Sequence, residues 1–120
     1  MSQPRQPPSI DAYGGGGFRV SGQRREGSLL IVADEPQSWA PTSLESLSPA
    51  DLAPILEHPA VVEFVLLGTG AAQALPPKPI REALQAARIG LEFMDTASAA
   101  RLYNVLASEG RRVAAALIAI

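Results

Sequence analysis

The residues best equipped for chemistry lie in two short stretches. One is Asp95 to Arg112, DTASAARLYNVLASEGRR, which gathers a carboxylate, hydroxyls, guanidinium groups, a phenol and an amide. The other is Gly68-Thr69-Gly70, directly after an apolar run. Asp95 or Thr96 can accept hydrogen bonds from the free N–H groups that begin a helix, and a helix N-terminus attracts anions. Two glycines behind a strand let a backbone or a ligand come close. Thr69, Asp95, Thr96, Arg101 and Tyr103 can therefore line an anion-binding crevice. The set lacks a base poised near neutrality, a metal cluster and a recognisable nucleophile arrangement. Asp95 is also explained by capping, and Thr69 by turn chemistry.

Several chemistries are closed off by residue type. The chain has no cysteine and one histidine, His58, which excludes disulfides, thiolate catalysis, a Cys–His pair and multi-histidine metal sites. His58 reads instead as a helix C-terminal residue, where positive charge is favoured. The Gly-Thr-Gly sequence falls short of a dinucleotide fingerprint: Gln73 stands at the third glycine position, Pro76, Pro77 and Pro79 delay the next helix, and no Walker A lysine follows. No cofactor and no metal are expected.

Positioning these residues requires a scaffold, and periodicity outlines one. Ala99, Leu102, Tyr103 and Leu106 recur at i, i+3, i+4 and i+7, an apolar stripe on a helix that Gly110 ends. Arg101, Asn104 and Ser108 form a polar stripe beside it. Packing and solubility explain most such stripes; a functional surface is the sharper reading. Leu29–Ala33, Val61–Leu67, Leu91–Met94 and Val113–Ile118 read as the main strands. Pro79–Arg88 reads as a helix stopped at Gly90. Ser48-Pro49-Ala50-Asp51 opens another, which Pro54 should keep short or kinked.

Upstream, Ile10, Ala12, Phe18 and Val20 alternate with polar residues around Gly14–Gly17, a β-hairpin with a glycine turn rather than a phosphate loop. Ser21–Gly27 reads as a polar connection. Asp34–Ser43 reads as a loop holding Trp39, either a plug over the core or an anchor for a partner. Residues 1–9 read as a disordered Pro-rich tail and residues 10–120 as one domain. Alternating strands and helices predict a compact three-layer α/β domain, with a mostly parallel central sheet, helices on its faces and an N-terminal β-hairpin.

The totals agree with one small domain. The chain has 120 residues, a net charge of −2 and 47% hydrophobic content. That size can bury a core without staples, and the acidic balance argues against nucleic acid. The stretch MSQPRQPPS has no apolar h-region and does not read as a secretory signal. Val113–Ile120 is the longest apolar run and far below the roughly 20 residues that span a bilayer. A cytoplasmic protein that is not integral to a membrane is expected.

MDTASAARLYNVLASEGRRVAAALI, with IDAYGGGGFRVSG, GSLLIVADEPQSW and EFVLLGTG before it, resembles the small domain of mitochondrial complex I assembly factor 3. The same domain occurs in the adipogenesis-associated domain-containing protein of animals and in many bacterial proteins. The match runs from about Ile10 to Ile118. The resemblance implies an α/β fold and a non-enzymatic interaction module, an assembly or biogenesis factor for respiratory complex I or other membrane complexes, with protein partners. Trp39, Arg101, Asn104 and Arg111 are the surface candidates. Relatives often carry cysteine where this chain has Ala100 and threonine where it has Leu102, so no thiol role passes to this protein. The alternative is a small-molecule or anion binder, enzymes included, using the crevice between Gly68–Gly70 and Asp95-Thr96. Self-association through an exposed edge strand, the final one or the N-terminal hairpin, is also open.

Overall fold

A computed structural model of the protein describes residues 6–57 and 62–120. His58 and the start of the segment through Val61 lie outside them, as does most of the N-terminal tail. Eight strands and three α-helices are described: β1 (Ile10–Gly14), β2 (Gly17–Val20), β3 (Gln23–Glu26), β4 (Ser28–Val32), β5 (Glu35–Trp39), α1 (Ala53–Leu56), β6 (Phe64–Gly68), α2 (Lys78–Ala86), β7 (Gly90–Met94), α3 (Thr96–Ser108) and β8 (Val113–Leu117). A 3-10 turn, Pro49–Leu52, leads into α1. That broken helix follows from Pro54, which has no N–H for a helical hydrogen bond.

The strands form two sheets, β1-β2-β3 and β5-β4-β8-β6-β7. The larger sheet is mixed, not mostly parallel: β8, β6 and β7 are parallel, while β4 is antiparallel to both β5 and β8. The physical cause is a concealed hairpin. Ala33 and Asp34 take φ of 52° and 66°, the left-handed pair that a two-residue hairpin turn requires and that Asn-Gly usually supplies. The expected loop after Ala33 is therefore strand β5, and its Pro36 is tolerated because β5 is an edge. The expected polar connection at Ser21–Gly27 contains β3, turned by Ser21 and Gly22 at φ of 47° and 84°. The N-terminal hairpin is thus part of a three-stranded sheet.

The core splits by strand parity. Leu30, Val32, Val65, Leu67, Ala114 and Ala116 face one layer with Trp39, Ile55, Ile80 and Leu84. Leu29, Ile31, Leu66, Ala115 and Leu117 face the other, with Phe18, Ala99 and Tyr103 from the small sheet and α3. Successive side chains of a strand point to opposite faces, so each continuous apolar run serves both layers. β8, sequence VAAAL, is buried throughout. Its small central residues leave volume for the larger side chains above and below. It also pairs on both sides, so the final strand is no edge.

Candidate functional site

β6 and β7 are parallel neighbours, so their carboxyl ends open at one end of the sheet, where open α/β sheets bind ligands. The Gly68–Gly70 loop and the start of α3 do meet there. Thr69 N–H donates to Met94 O at 2.8 Å, and its hydroxyl donates to Ala72 O at 2.7 Å. Thr96 N–H donates to Gly70 O at 2.9 Å, while Gly70 N–H donates to Thr96 Oγ1 at 3.0 Å. The Thr96 hydroxyl, fully buried, donates on to Ile118 O at 2.7 Å. One side chain thereby ties together the ends of β6, α3 and β8. Gly68 makes this approach feasible: a Cβ there would stand 2.8 Å from Thr96 Oγ1 and 2.9 Å from its Cα. The glycine gives room to protein, and the two loops close on each other.

The helix start is likewise occupied. Asp95 Oδ1 accepts from Ser98 N–H at 2.9 Å and Oδ2 from Ser98 Oγ at 2.8 Å. These two bonds, backbone first, and the nearby Arg101 charge hold its carboxyl below the ordinary range. The dipole's positive end is met by the protein's own carboxylate. Arg101 does not enter the crevice. It donates to the Tyr13 hydroxyl at 2.6 Å and lies 3.4 Å from Ser98 Oγ. A surface chain of polar contacts, Asp95–Ser98–Arg101–Tyr13, thus fastens α3 to β1.

Asn104 completes that fastening. Its Oδ1 accepts from Ile10 N–H at 2.8 Å and its Nδ2 donates to Ile10 O at 2.9 Å, so the side-chain amide pairs with β1 as a strand would. Tyr103 is 1% exposed within the core and presents no surface. Trp39 is also buried and gives its indole N–H to Asp51 O at 2.9 Å, the plug of the two readings. Arg111 sits 3.5 Å from Glu63 and 5.4 Å above the Phe64 ring. Glu63 in turn accepts from Arg112 N–H, which with the Arg111 charge lowers its pKa. Gly90, expected to stop α2, begins β7 against Phe64 Cβ; the left-handed residue ending that helix is Arg88, at φ 58°.

The polar stripe of α3 is therefore mainly a joint. Tyr13 and Ser98, its partners in that joint, escape the sequence reading. Ser98 was legible as the third residue after a cap. Tyr13 was not, since 88 positions separate it from Arg101. Open space lies on the far side of the Gly-Thr-Gly loop: a groove of about 370 Å³ between Thr42–Glu45 and Gly70–Ala72, with Ile118 and Ala119.

Comparison with known proteins places this architecture. Residues 10–118 match the model of a protein family of unknown function, DUF498/DUF598. An uncharacterised protein of Rhodobacter capsulatus is 45% identical over 109 residues, 91% of this chain and 82% of that one. NADH dehydrogenase [ubiquinone] 1 alpha subcomplex assembly factor 3 of Bos taurus is 31% identical over 110 residues. That alignment covers 91% of this chain but 59% of the bovine protein, so the chain spans about three fifths of the animal relative. The crystal structure of an outer membrane protein from Bartonella henselae superposes with a TM-score of 0.87 at 36% identity, covering 94% of this chain and 95% of that one. No helix among the described residues is long and apolar enough to cross a membrane. The protein belongs to the DUF498/DUF598 family, and nine tenths of its length is similar to complex I assembly factor 3.

Proposed function

We propose that the protein is a non-enzymatic interaction module that assists the assembly of a respiratory complex I-type NADH dehydrogenase or another membrane complex, working from the cytoplasm. One observation carries the reading: nine tenths of the chain aligns with a relative named for that role. The local chemistry is compatible, because Thr69, Thr96, Asp95 and Asn104 are committed to bonds within the fold. Deleting the gene in its native cells should lower assembled NADH dehydrogenase and leave partly built intermediates on native gels. Tagged protein at native expression should co-purify with those intermediates. Unchanged complex levels together with an empty capture would overturn the proposal.

A second reading draws on the groove beside Thr69. A small ligand there would touch the Gly70–Ala72 backbone, Thr42 and the Glu45 carboxylate. Thermal denaturation against phosphate, nucleotides and carboxylates decides it, since a ligand at about 100 times its Kd adds roughly 2.7 kcal/mol. A flat panel removes this reading.

A further inference from the structure

The large sheet ends in two unlike edges. β5 carries Pro36, which has no N–H to offer, and an exposed Glu35, both common defences of an edge. β7, Gly90-Leu91-Glu92-Phe93-Met94, carries no proline, no lysine and an unbroken register with β6. Backbone groups of a strand point alternately to its two sides. Gly90 N–H donates to Glu63 O, and Met94 O accepts from Thr69 N–H, so Gly90, Glu92 and Met94 serve β6. Leu91 and Phe93 therefore turn their N–H and C=O groups outward. Among the described residues Leu91 finds no partner there, and Phe93 O meets only the Gln73 amide, at 3.5 Å. The side chains of Leu91 and Phe93 are half-buried on the α2 face, while Glu92 is exposed on the opposite one.

We propose that the outer edge of β7 receives an added strand from a protein partner, an extended segment with Lys or Arg opposite Glu92 and apolar residues on either side of it. The outward backbone groups supply the ladder. Residues directly opposite share a face, so the partner's basic residue meets Glu92 and its neighbours extend the half-buried Leu91–Phe93 face. The geometry disfavours a second copy of this chain. In the antiparallel register that pairs Leu91 with Phe93 of the other copy, Glu92 stands directly opposite Glu92. Sliding one way sets Ile89 opposite Phe93, yet Ile89 N–H is already given to Leu84 O at 3.0 Å. Sliding the other way sets Leu91 opposite Asp95, which caps α3.

This inference rests on the protein being an interaction module, and the test separates the two. The probe is a synthetic nine-residue peptide in which valine alternates with threonine and the central threonine is replaced by lysine; a control has glutamate at that centre. At roughly ten times Kd the lysine peptide should slow amide exchange of Leu91 and Phe93 about tenfold. Glu92→Lys should reverse the preference between the peptides, changing each affinity about five- to tenfold. Protection confined to β1, β3 or β5, no protection at millimolar peptide, or an unchanged preference in Glu92→Lys overturns the proposal. Protection that grows with protein concentration without peptide also overturns it, in favour of self-pairing. Capture from cells then separates the readings: if Glu92→Lys recovers the same partners as the unaltered chain, the edge proposal fails and the module stands. If neither recovers any, the module reading itself fails.

Discussion

The carboxyl ends of β6 and β7 and the outer edge of β7 belong to the same strands, yet they treat their polar groups in opposite ways. At the ends, Thr69 bonds Met94 and Ala72, Gly70 and Thr96 bond each other, the Thr96 hydroxyl goes on to Ile118, and Gly68 brings the loop close enough for this. At the edge, Leu91 and Phe93 turn backbone groups outward with one marginal contact from Gln73. The position where α/β sheets commonly take ligands is thus occupied by the protein's own hydrogen bonds. The position that sheets commonly defend is left available. Hydrogen-bonding capacity already satisfied inside a fold stabilises it; capacity left at a rim is what a partner can use.

Substitutions can break or sharpen this contrast. Thr96→Val keeps the shape but strips Gly70 N–H and Ile118 O of their buried partner, so it should cost about 3 kcal/mol, roughly 10 °C in Tm. A melting temperature within a degree of the parent would show that the strand ends are not held by that hydroxyl. Gly68→Ala should follow at about 2 kcal/mol, because the new methyl meets both the Thr96 Cα and the Thr96 hydroxyl, which its buried hydrogen bonds hold in place. Denaturant midpoints measure it, and a neutral result would return Gly68 to the candidates for a ligand approach. Asn104→Ala leaves both backbone groups of Ile10 without their partner at a half-buried joint, for about 1.5 kcal/mol. Faster amide exchange should then concentrate in β1, and uniform loss across both sheets would contradict its role as a joint. At the rim, Glu92→Lys should move stability by less than about 0.5 kcal/mol while changing partner preference.

Acid supplies the smallest and most distributed effect. Asp11, Glu63 and Asp95 are each held below the ordinary carboxylate range by hydrogen bonds made in the fold. The folded state therefore binds fewer protons than the unfolded one. The stability they contribute is complete above the unfolded values and is lost as pH falls below about 4 through the folded ones. Asp95→Asn should make the acid limb of a Tm-versus-pH curve shallower without moving its neutral plateau upward. A limb of unchanged steepness would mean that the helix cap is not among the groups responsible.

Much of the scaffold was legible because apolar periodicity and caps are local signals. Strands Leu29–Ala33, Leu91–Met94 and Val113–Ile118 appear within a residue or so of their ranges, and Asp95 and Gly110 bound α3. β3 and β5 were not legible: QRRE and EPQSW carry little of the alternation a strand displays, and Ala33-Asp34 does not advertise a hairpin. Missing that hairpin turned a mixed sheet into a mostly parallel one. Of the candidate site, strand direction put the Gly68–Gly70 loop and the Asp95 helix start at one end of the sheet only on the condition that their strands are neighbours, and the strand order supplies that condition. The burial of Tyr103 and Trp39 and the attachment of Arg101 to Tyr13 did not follow from strand direction.

By itself the sequence determined composition, the excluded chemistries, the layered α/β class and the family, since each depends on residue type or on neighbours within a few positions. Only the tertiary structure decided that the glycine loop closes on Thr96, that Asn104 clasps Ile10 and that β7 rather than the final strand is an open edge. Those facts depend on strand order and on pairings between residues far apart in the chain, which no local pattern encodes.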